Sequence, residues 1–170
     1  PRATDEGDEQ MLHVRRAGTL DAAGMAEILN EIIAIGGTTA ITDPVTVSDL
    51  ADWMARDPRS IWHVAEDDGG TALGFQWVDP HPDAGPDVAQ IATFAKVGRT
   101  GLGVGSALFR ATAEACRAAG YAWINAEIRA DNASGLTYYQ SRGFEDYGRI
   151  ADYRMANGQR VDKVLKRYDL

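Results

Sequence analysis

Glycine occupies positions 98, 101, 103 and 105 in FAKVGRTGLGVGSALF (residues 94–109), and no other stretch limits the fold of this chain as strongly. Residues 90–97 are apolar and strand-like, and residues 106–119 repeat alanine and leucine with helical spacing, so the glycines join a strand to the start of a helix. Glycine permits backbone angles closed to other residues and lets a ligand approach the main chain. The first-turn amides of the helix that follows have no internal partner. A turn built this way suits a pyrophosphate.

The neighbours separate the known phosphate-binding turns. A P-loop places Lys and then Ser or Thr after its last glycine, whereas Gly105 is followed by Ser106 and Ala107. A dinucleotide fingerprint has three glycines spaced G-x-G-x-x-G early in a βαβ unit, but here the spacing is G-x-G-x-G and falls late in the chain. A glycine-rich connection without any ligand is the plain alternative.

A chain of 170 residues, 45% hydrophobic, predicts one domain over residues 11–170. Residues 1–10 are charged and small without any period and read as a tail. The formal charge of -8 argues against nucleic acid or an anionic membrane surface as a partner and favours a cationic or amine substrate. The lone Cys116, inside the helix after the glycines, excludes a disulfide framework and a thiolate metal cluster. His13 and His63 fall on separate strands without ligand-spaced partners, so no metal site is expected. There is no membrane-length apolar run and no basic-then-apolar leader, and the expectation is a cytoplasmic protein.

The elements follow from period and punctuation. A strand over residues 11–16 precedes a helix whose apolar face is Met25, Ile28, Leu29, Ile32 and Ile33, with Thr19 as the expected N-cap. A second helix begins at Thr46 or Ser48 after Asp43-Pro44. Strands over 61–66 and 72–78 flank Asp67-Asp68-Gly69-Gly70, a hairpin signal, and residues 79–87 read as an acidic loop. After the glycine helix come a strand over 121–128, a helix over 132–141 and a closing hairpin, 144–153 with 160–168, around Asn157-Gly158. The order β-α-α-β-β-β-α-β-α-β-β is that of a mixed α/β (α+β) layer, not of a doubly wound sheet.

On these residues the chain resembles the GNAT superfamily of acetyl-CoA-dependent N-acetyltransferases, whose cofactor loop reads Gln/Arg-x-x-Gly-x-Gly/Ala ahead of a helix. Gly103-Val104-Gly105 matches that pattern with Thr100 at the Gln/Arg position and Arg99 one residue early; a second register takes Gly101-Leu102-Gly103 as the glycine pair. Ile28-Leu29-Asn30 with Thr38-Thr39-Ala40, Asn132-Ala133-Ser134 ahead of Gly143-Phe144, and Gly158-x-x-x-Asp162 are similar to segments of the phosphinothricin-type branch, which acetylates amino-acid-like amines. The resemblance implies a central twisted, mostly antiparallel sheet flanked by helices, with a splayed strand pair at the cofactor cleft. It implies acetyl-CoA as cosubstrate, met by Phe94, Ala95, Arg99, Thr100, Gly101, Leu102, Gly103, Val104, Gly105, Ser106 and Asn132. Asn132 is also a good N-cap for its helix. Dimers are common in this branch, so a homodimer is an expectation.

An amine attacking a thioester needs to be neutral, to have the carbonyl oxygen stabilised and to have the leaving thiolate protonated. Tyr139 resembles the family's Tyr-x-x-x-Gly-Phe tyrosine, which protonates the thiolate of CoA; a packed aromatic is the alternative, and Tyr138 reads as packing. The resemblance makes the Ala95 amide the nearest candidate for the carbonyl oxygen. Glu127 alternates with Asn125 on one strand face, where it either holds or deprotonates the substrate amine or faces water. Asp87 and His81 read as loop residues, and Gln90 stands where relatives of the branch carry a carboxylate; an amide cannot serve as a base. The expected activity is acetyl transfer from acetyl-CoA to a small amino-acid-like amine. The alternatives are acetylation of a protein N-terminus or lysine, and a CoA-binding module without turnover.

Overall fold

The computed structural model describes residues 11–99 and 102–170. Among these residues seven strands form one sheet: β1 (His13–Arg16), β2 (Ile61–Glu66), β3 (Ala72–Pro80), β4 (Val88–Ala95), β5 (Trp123–Arg129), β6 (Glu145–Arg154) and β7 (Arg160–Asp169). Their order across the sheet is β1-β2-β3-β4-β5-β7-β6, and every neighbouring pair is antiparallel except β4 with β5. Among the described residues four α-helices cover it: α1 (Ala22–Ile35), α2 (Val47–Ala55), α3 (Val104–Ala118) and α4 (Ala133–Ser141). This is the mixed α/β layer expected from the element order, and the mostly antiparallel sheet that the resemblance implies.

Strand alternation divides most of the core between the two faces of the sheet, and a third, smaller cluster joins Ala65 and Leu73 to Val104 and Leu108 of α3. Phe75, Phe94 and Trp62 meet the apolar face of α1 and Leu50 of α2, while Ile91, Ile124, Ala126 and Ile128 meet Phe109 and Cys116 of α3 and Tyr139 of α4. Three of the four tryptophans belong to the first cluster: Trp62 stacks on Trp77 at 4.3 Å, and Trp53 lies 6.0 Å from Trp77. Trp123 instead lies beneath the Arg167 guanidinium at 4.2 Å.

The β4–β5 pair decides where a ligand can enter. Its register runs only from Val88↔Trp123 to Gln90↔Asn125, yet β4 continues to Ala95 and β5 to Arg129. Each strand remains paired on its other edge, to Ala95 opposite Gly74 of β3 and to Arg129 opposite Lys163 of β7. The two strands therefore splay into a V whose inner edges carry unpaired main-chain groups. At Gly74 an added Cβ would lie 2.8 Å from Val104 Cγ1 and 2.9 Å from the Phe94 carbonyl oxygen, so glycine there allows the first turn of α3 to lie on the sheet beside the open end of β4.

Several boundaries differ from the sequence reading. Of the two expected starts of α2 the structure selects Thr46, whose Oγ1 accepts from Asp49 N–H at 3.0 Å as the N-cap, but Thr19 sits inside a single 3-10 turn, Thr19–Asp21, whose N-cap is Gly18. The Asp21 carboxylate accepts from the Gly18 amide and from Arg15, which organises that turn without Thr19. Asp79 and Pro80 are not in a loop: β3 carries through Pro80, opposite Ala89, and the N–H that proline lacks would face the β2 side, where the ladder has already ended at Ile61↔Val78. β4 ends at Ala95 and α3 begins at Val104, which puts Gly105 inside the first helical turn.

Candidate active site: the cleft between the splayed strands

The turn from β4 to α3 is built on glycines in left-handed conformation. Gly98 has φ +78, and Gly103, the N-cap of α3, has φ +75, a region where other residues are strained. The first intrahelical bond is Ala107 N–H to Gly103 O at 3.0 Å, so the amides of Val104, Gly105 and Ser106 have no acceptor within the helix. Gly105 answers to packing: a Cβ there would lie 2.6 Å from Tyr138 Cε2. Arg99 N–H donates to Lys96 O at 3.2 Å, so that amide already closes the turn. Thr100 and Gly101 lie outside the described residues. A helix that starts immediately after Gly103 agrees with the register Gly103-Val104-Gly105.

Beside this turn lies a cleft of about 620 Å³. Lys96, Arg99 and Arg142 line it, and no acidic side chain among the described residues does, although the chain as a whole carries -8. Arg142 Nη1 donates to Ser106 Oγ at 2.6 Å, while its Nε is buried without a partner. A cationic recess around free helix amides fits a polyphosphate. Arg142 and Lys96 were missed in the sequence; the first stands inside the Tyr139 to Gly143 motif, and the second directly follows β4.

The ladder separates the two main-chain candidates on β4. Lys96 N–H bonds Leu73 O at 2.8 Å, and His81 N–H bonds Val88 O at 2.8 Å, so even-numbered residues of β4 direct their amides to β3. Phe94 N–H is thereby committed, and Phe94 enters the cleft wall as a buried ring against Phe75 at 5.2 Å. The odd-numbered Ala95, an exposed residue, directs its amide away from β3 and into the V.

Tyr139 lies on the same side. Asn132 Oδ1 caps α4 by accepting from Gly135 N–H at 3.0 Å, and Asn132 Nδ2 donates to Thr38 O at 3.1 Å, tying the helix start to the segment after α1. At the other end Gly143, with φ +100, breaks the helix and lets Phe144 N–H return to Tyr139 O at 3.0 Å. Tyr139 is thus held at both ends of its short helix. Its hydroxyl is 2.8 Å from Thr93 Oγ1 on β4, and burial lifts its phenol above the ordinary value of about 10. Tyr138 is more than packing: its hydroxyl donates to Gly105 O at 2.8 Å and accepts from Gln76 Nε2 at 3.1 Å, with its phenol pushed up to about 12 by burial.

The opposite face of the V is polar. Asn125 is fully buried and donates to Gln90 Oε1 at 2.6 Å, bridging β4 and β5 where they part; it also accepts from the Tyr147 hydroxyl. Glu127 lies farther along that face, 24% exposed, with Oε2 3.3 Å from Lys163 Nζ and Oε1 3.9 Å from His81 Nε2. His81 Nδ1 accepts from the Asp83 and Ala84 amides at 3.1 and 3.0 Å, so the neutral ring carries its proton on Nε2 and has no lone pair to offer there. Asp87 O accepts from Ala122 N–H at 2.7 Å in the connection before β5. Cys116 is fully buried under α3, its thiol pushed up to about 12 by burial, and is no nucleophile. No metal-ligating cluster occurs among the described residues.

A family model described as Acetyltransferase (GNAT) family matches residues 25–144, from α1 through the glycine turn to Phe144. The chain belongs to this family. It is 28% identical, over 91% of its length and 97% of the relative's, to the Bacillus subtilis strain 168 protein YwnH, provisionally named a phosphinothricin acetyltransferase. Among solved structures it is similar to a GNAT superfamily phosphinothricin acetyltransferase from Sinorhizobium meliloti in complex with AcCoA: 21% identity, TM-score 0.83, covering 94% of this chain and 88% of that one. A ribosomal-protein-alanine N-acetyltransferase from Brucella melitensis is as similar in fold, at 22% identity and TM-score 0.84 over 93% of this chain and 99% of that one. This GNAT chain is therefore an acetyl-CoA-dependent acetyltransferase. The helix amides, the three cations and the unpartnered Arg142 Nε form a recess whose chemistry fits the phosphates of acetyl-CoA.

Proposed function

We propose that this GNAT enzyme acetylates the primary amine of a small amino-acid-like substrate by direct attack, with no covalent acyl-enzyme. The observation that carries the reading is the V itself: the amide of the exposed Ala95 and a buried Tyr139 hydroxyl lie on the cofactor side of the β4 edge, and a carboxylate, Glu127, lies on the polar face opposite. Similarity to YwnH across nearly the whole of both chains supports the small-amine class.

The geometry supports the following roles. Bound acetyl-CoA supplies an activated acetyl thioester. Val104, Gly105 and Ser106 amides with Lys96, Arg99 and Arg142 hold its phosphates, and Asn132 and Phe94 shape the wall. The Ala95 N–H polarises the thioester carbonyl, and Tyr139 supplies a proton to the sulfur as the carbon–sulfur bond breaks. Glu127, already flanked by Lys163, attracts the substrate ammonium by charge. An α-amine with a pKa of roughly 7.7 to 8 is neutral often enough at physiological pH to attack without a strong base. That suits Gln90, whose amide oxygen is already taken by Asn125.

Thiol release from acetyl-CoA, followed against free amino acids, their analogues and basic peptides, tests the reading. Turnover on free amino acids with none on peptides supports it. Turnover confined to peptide N-termini or lysines replaces it with a protein acetyltransferase, for which the acidic chain is suited, and acetyl-CoA binding without turnover on any amine leaves a binding module. Sedimentation reads the homodimer we expect for this branch.

A further inference from the structure

Two tyrosines, a threonine and a glutamine make a closed hydrogen-bond chain on the cofactor face. Tyr139 Oη is 2.8 Å from Thr93 Oγ1; Gln76 Nε2 donates to Thr93 Oγ1 at 2.9 Å and to Tyr138 Oη at 3.1 Å; Tyr138 O–H donates to Gly105 O at 2.8 Å. Gln76 is fully buried, in mid-strand on β3, and its Oε1 has no partner. The proton directions in this chain can be worked out from its fixed ends.

A carbonyl only accepts, so the single Tyr138 proton lies on the bond to Gly105, and the Tyr138 oxygen must receive its second bond from a donor. That fixes Gln76 with Nε2 toward Tyr138; turned over, Oε1 and the Tyr138 oxygen would face each other as two acceptors. Gln76 Nε2 then also gives a proton to Thr93 Oγ1. Thr93 still has its own hydroxyl proton; it also interacts with the Tyr138 hydroxyl, but that oxygen is already taken by Gln76, so the acceptor left to the Thr93 proton is the Tyr139 oxygen at 2.8 Å.

We infer that Gln76 and Thr93 are positioning residues that aim the Tyr139 proton: Gln76 donates to Thr93, Thr93 donates to the Tyr139 oxygen, and the Tyr139 proton is left to point into the cleft. This rests on the reading of Tyr139 as the proton donor. In the step itself the Tyr139 O–H bond breaks, its proton joins the sulfur that has taken the electron pair of the broken carbon–sulfur bond, and the Thr93 hydroxyl stabilises the phenolate. The phenolate recovers a proton from solvent, which receives the one shed by the acetylated nitrogen. With the opposite polarity, Tyr139 donating to Thr93, the proton would already be engaged and the sulfur would have to compete for it.

Neutron diffraction from deuterated crystals of the cofactor-free protein reads the polarity directly. Deuterium on Thr93 Oγ1 aimed at Tyr139, with the Tyr139 deuterium turned toward the cleft, is the expected result; a Tyr139 deuterium on the line to Thr93 overturns the inference. Kinetics gives a second reading. Thr93→Val should lower kcat about tenfold, the equivalent of one charge-assisted hydrogen bond, with the acetyl-CoA Kd from calorimetry unchanged, and Thr93→Ser should restore it. Gln76→Met should fall in the same direction, since Thr93 would then be open to accept from Tyr139. If Thr93→Val stays within about threefold of the parent while Tyr139→Phe is slow, the positioning role is wrong and the acid remains. If Tyr139→Phe is itself unimpaired, the acid assignment fails even where the neutron map shows the expected polarity.

Discussion

Tyr139→Phe separates a proton donor from a packed ring, because only one oxygen is lost. The ring contacts stay, with Phe144 at 5.1 Å and Tyr138 at 4.9 Å between centroids. The hydrogen bond to Thr93 goes, which costs about 1 kcal/mol of stability and lowers Tm by about 2–4 °C for a chain of this size. The rate effect is set by how readily the phenol parts with its proton. Burial holds it above an ordinary value of about 10, whereas a thiol titrates near 8.5, so full transfer is uphill by at least about 2 kcal/mol unless bond breaking drives it. General acids contribute roughly 100-fold to 10,000-fold, and this mismatch puts the expected loss in kcat at the lower end, about 100-fold. Acetyl-CoA affinity should hold, since the phosphate-binding amides and cations lie elsewhere in the cleft. Steady-state kinetics, calorimetric titration and thermal unfolding on the same variant give all three numbers. A kcat within about threefold of the parent, only roughly 0.7 kcal/mol of barrier, would remove Tyr139 from the chemistry.

Three further outcomes follow from the structure. Arg142→Ala should weaken acetyl-CoA binding about tenfold or more by calorimetry, with a shallower salt dependence, because it removes a charge-assisted donor from the recess. Gly105→Ala should destabilise the fold by about 1–3 kcal/mol in urea unfolding, since its Cβ would lie 2.6 Å from the Tyr138 ring. His63, 5% exposed on β2 with an unpartnered Nδ1, has its pKa lowered to about 4 by burial and by Arg16. Between about 4 and 6.5 the unfolded chain binds a proton that the folded one does not. Stability is therefore complete above about 6.5 and falls as pH drops toward 4, by up to about 3 kcal/mol, and His63→Leu should flatten that slope in urea titrations at several pH values.

Much of the fold was legible because period and punctuation are local. The Asp67-Asp68-Gly69-Gly70 hairpin, the Thr46 cap of α2, the Asn132 cap of α4 and the Asn157-Gly158 turn all fall where their chemistry puts them. The glycine cluster announced a strand-to-helix junction, and the Tyr139 to Phe144 spacing marked a helix that ends at a positive-φ glycine. Those signals need only neighbours within a few residues. Boundaries moved by one or two residues: Pro80 is held in β3 by pairing with Ala89, and α3 begins at Val104, which puts Gly105 in its first turn where Tyr138 leaves no room for a Cβ.

The candidate site was legible in its parts and not in its assembly. The sequence by itself determined the element order, the helix start that can bind phosphate, and the tyrosine at the family spacing. Only the tertiary structure decided that β4 and β5 part after Gln90 and Asn125, because strand separation depends on what each strand pairs with on its far edge. Only the ladder parity showed that Ala95 and not Phe94 has an amide to offer. The same holds for Gln76 and Thr93, which stand 17 residues apart; Thr93 reaches Tyr139 from 46 residues away and Gln76 reaches Tyr138 from 62. A polar residue inside the apolar run of β3 was the one sequence trace of that chain. Its partners could not be read there, since a hydrogen bond between distant segments is fixed by the register of the sheet and not by the residues beside it.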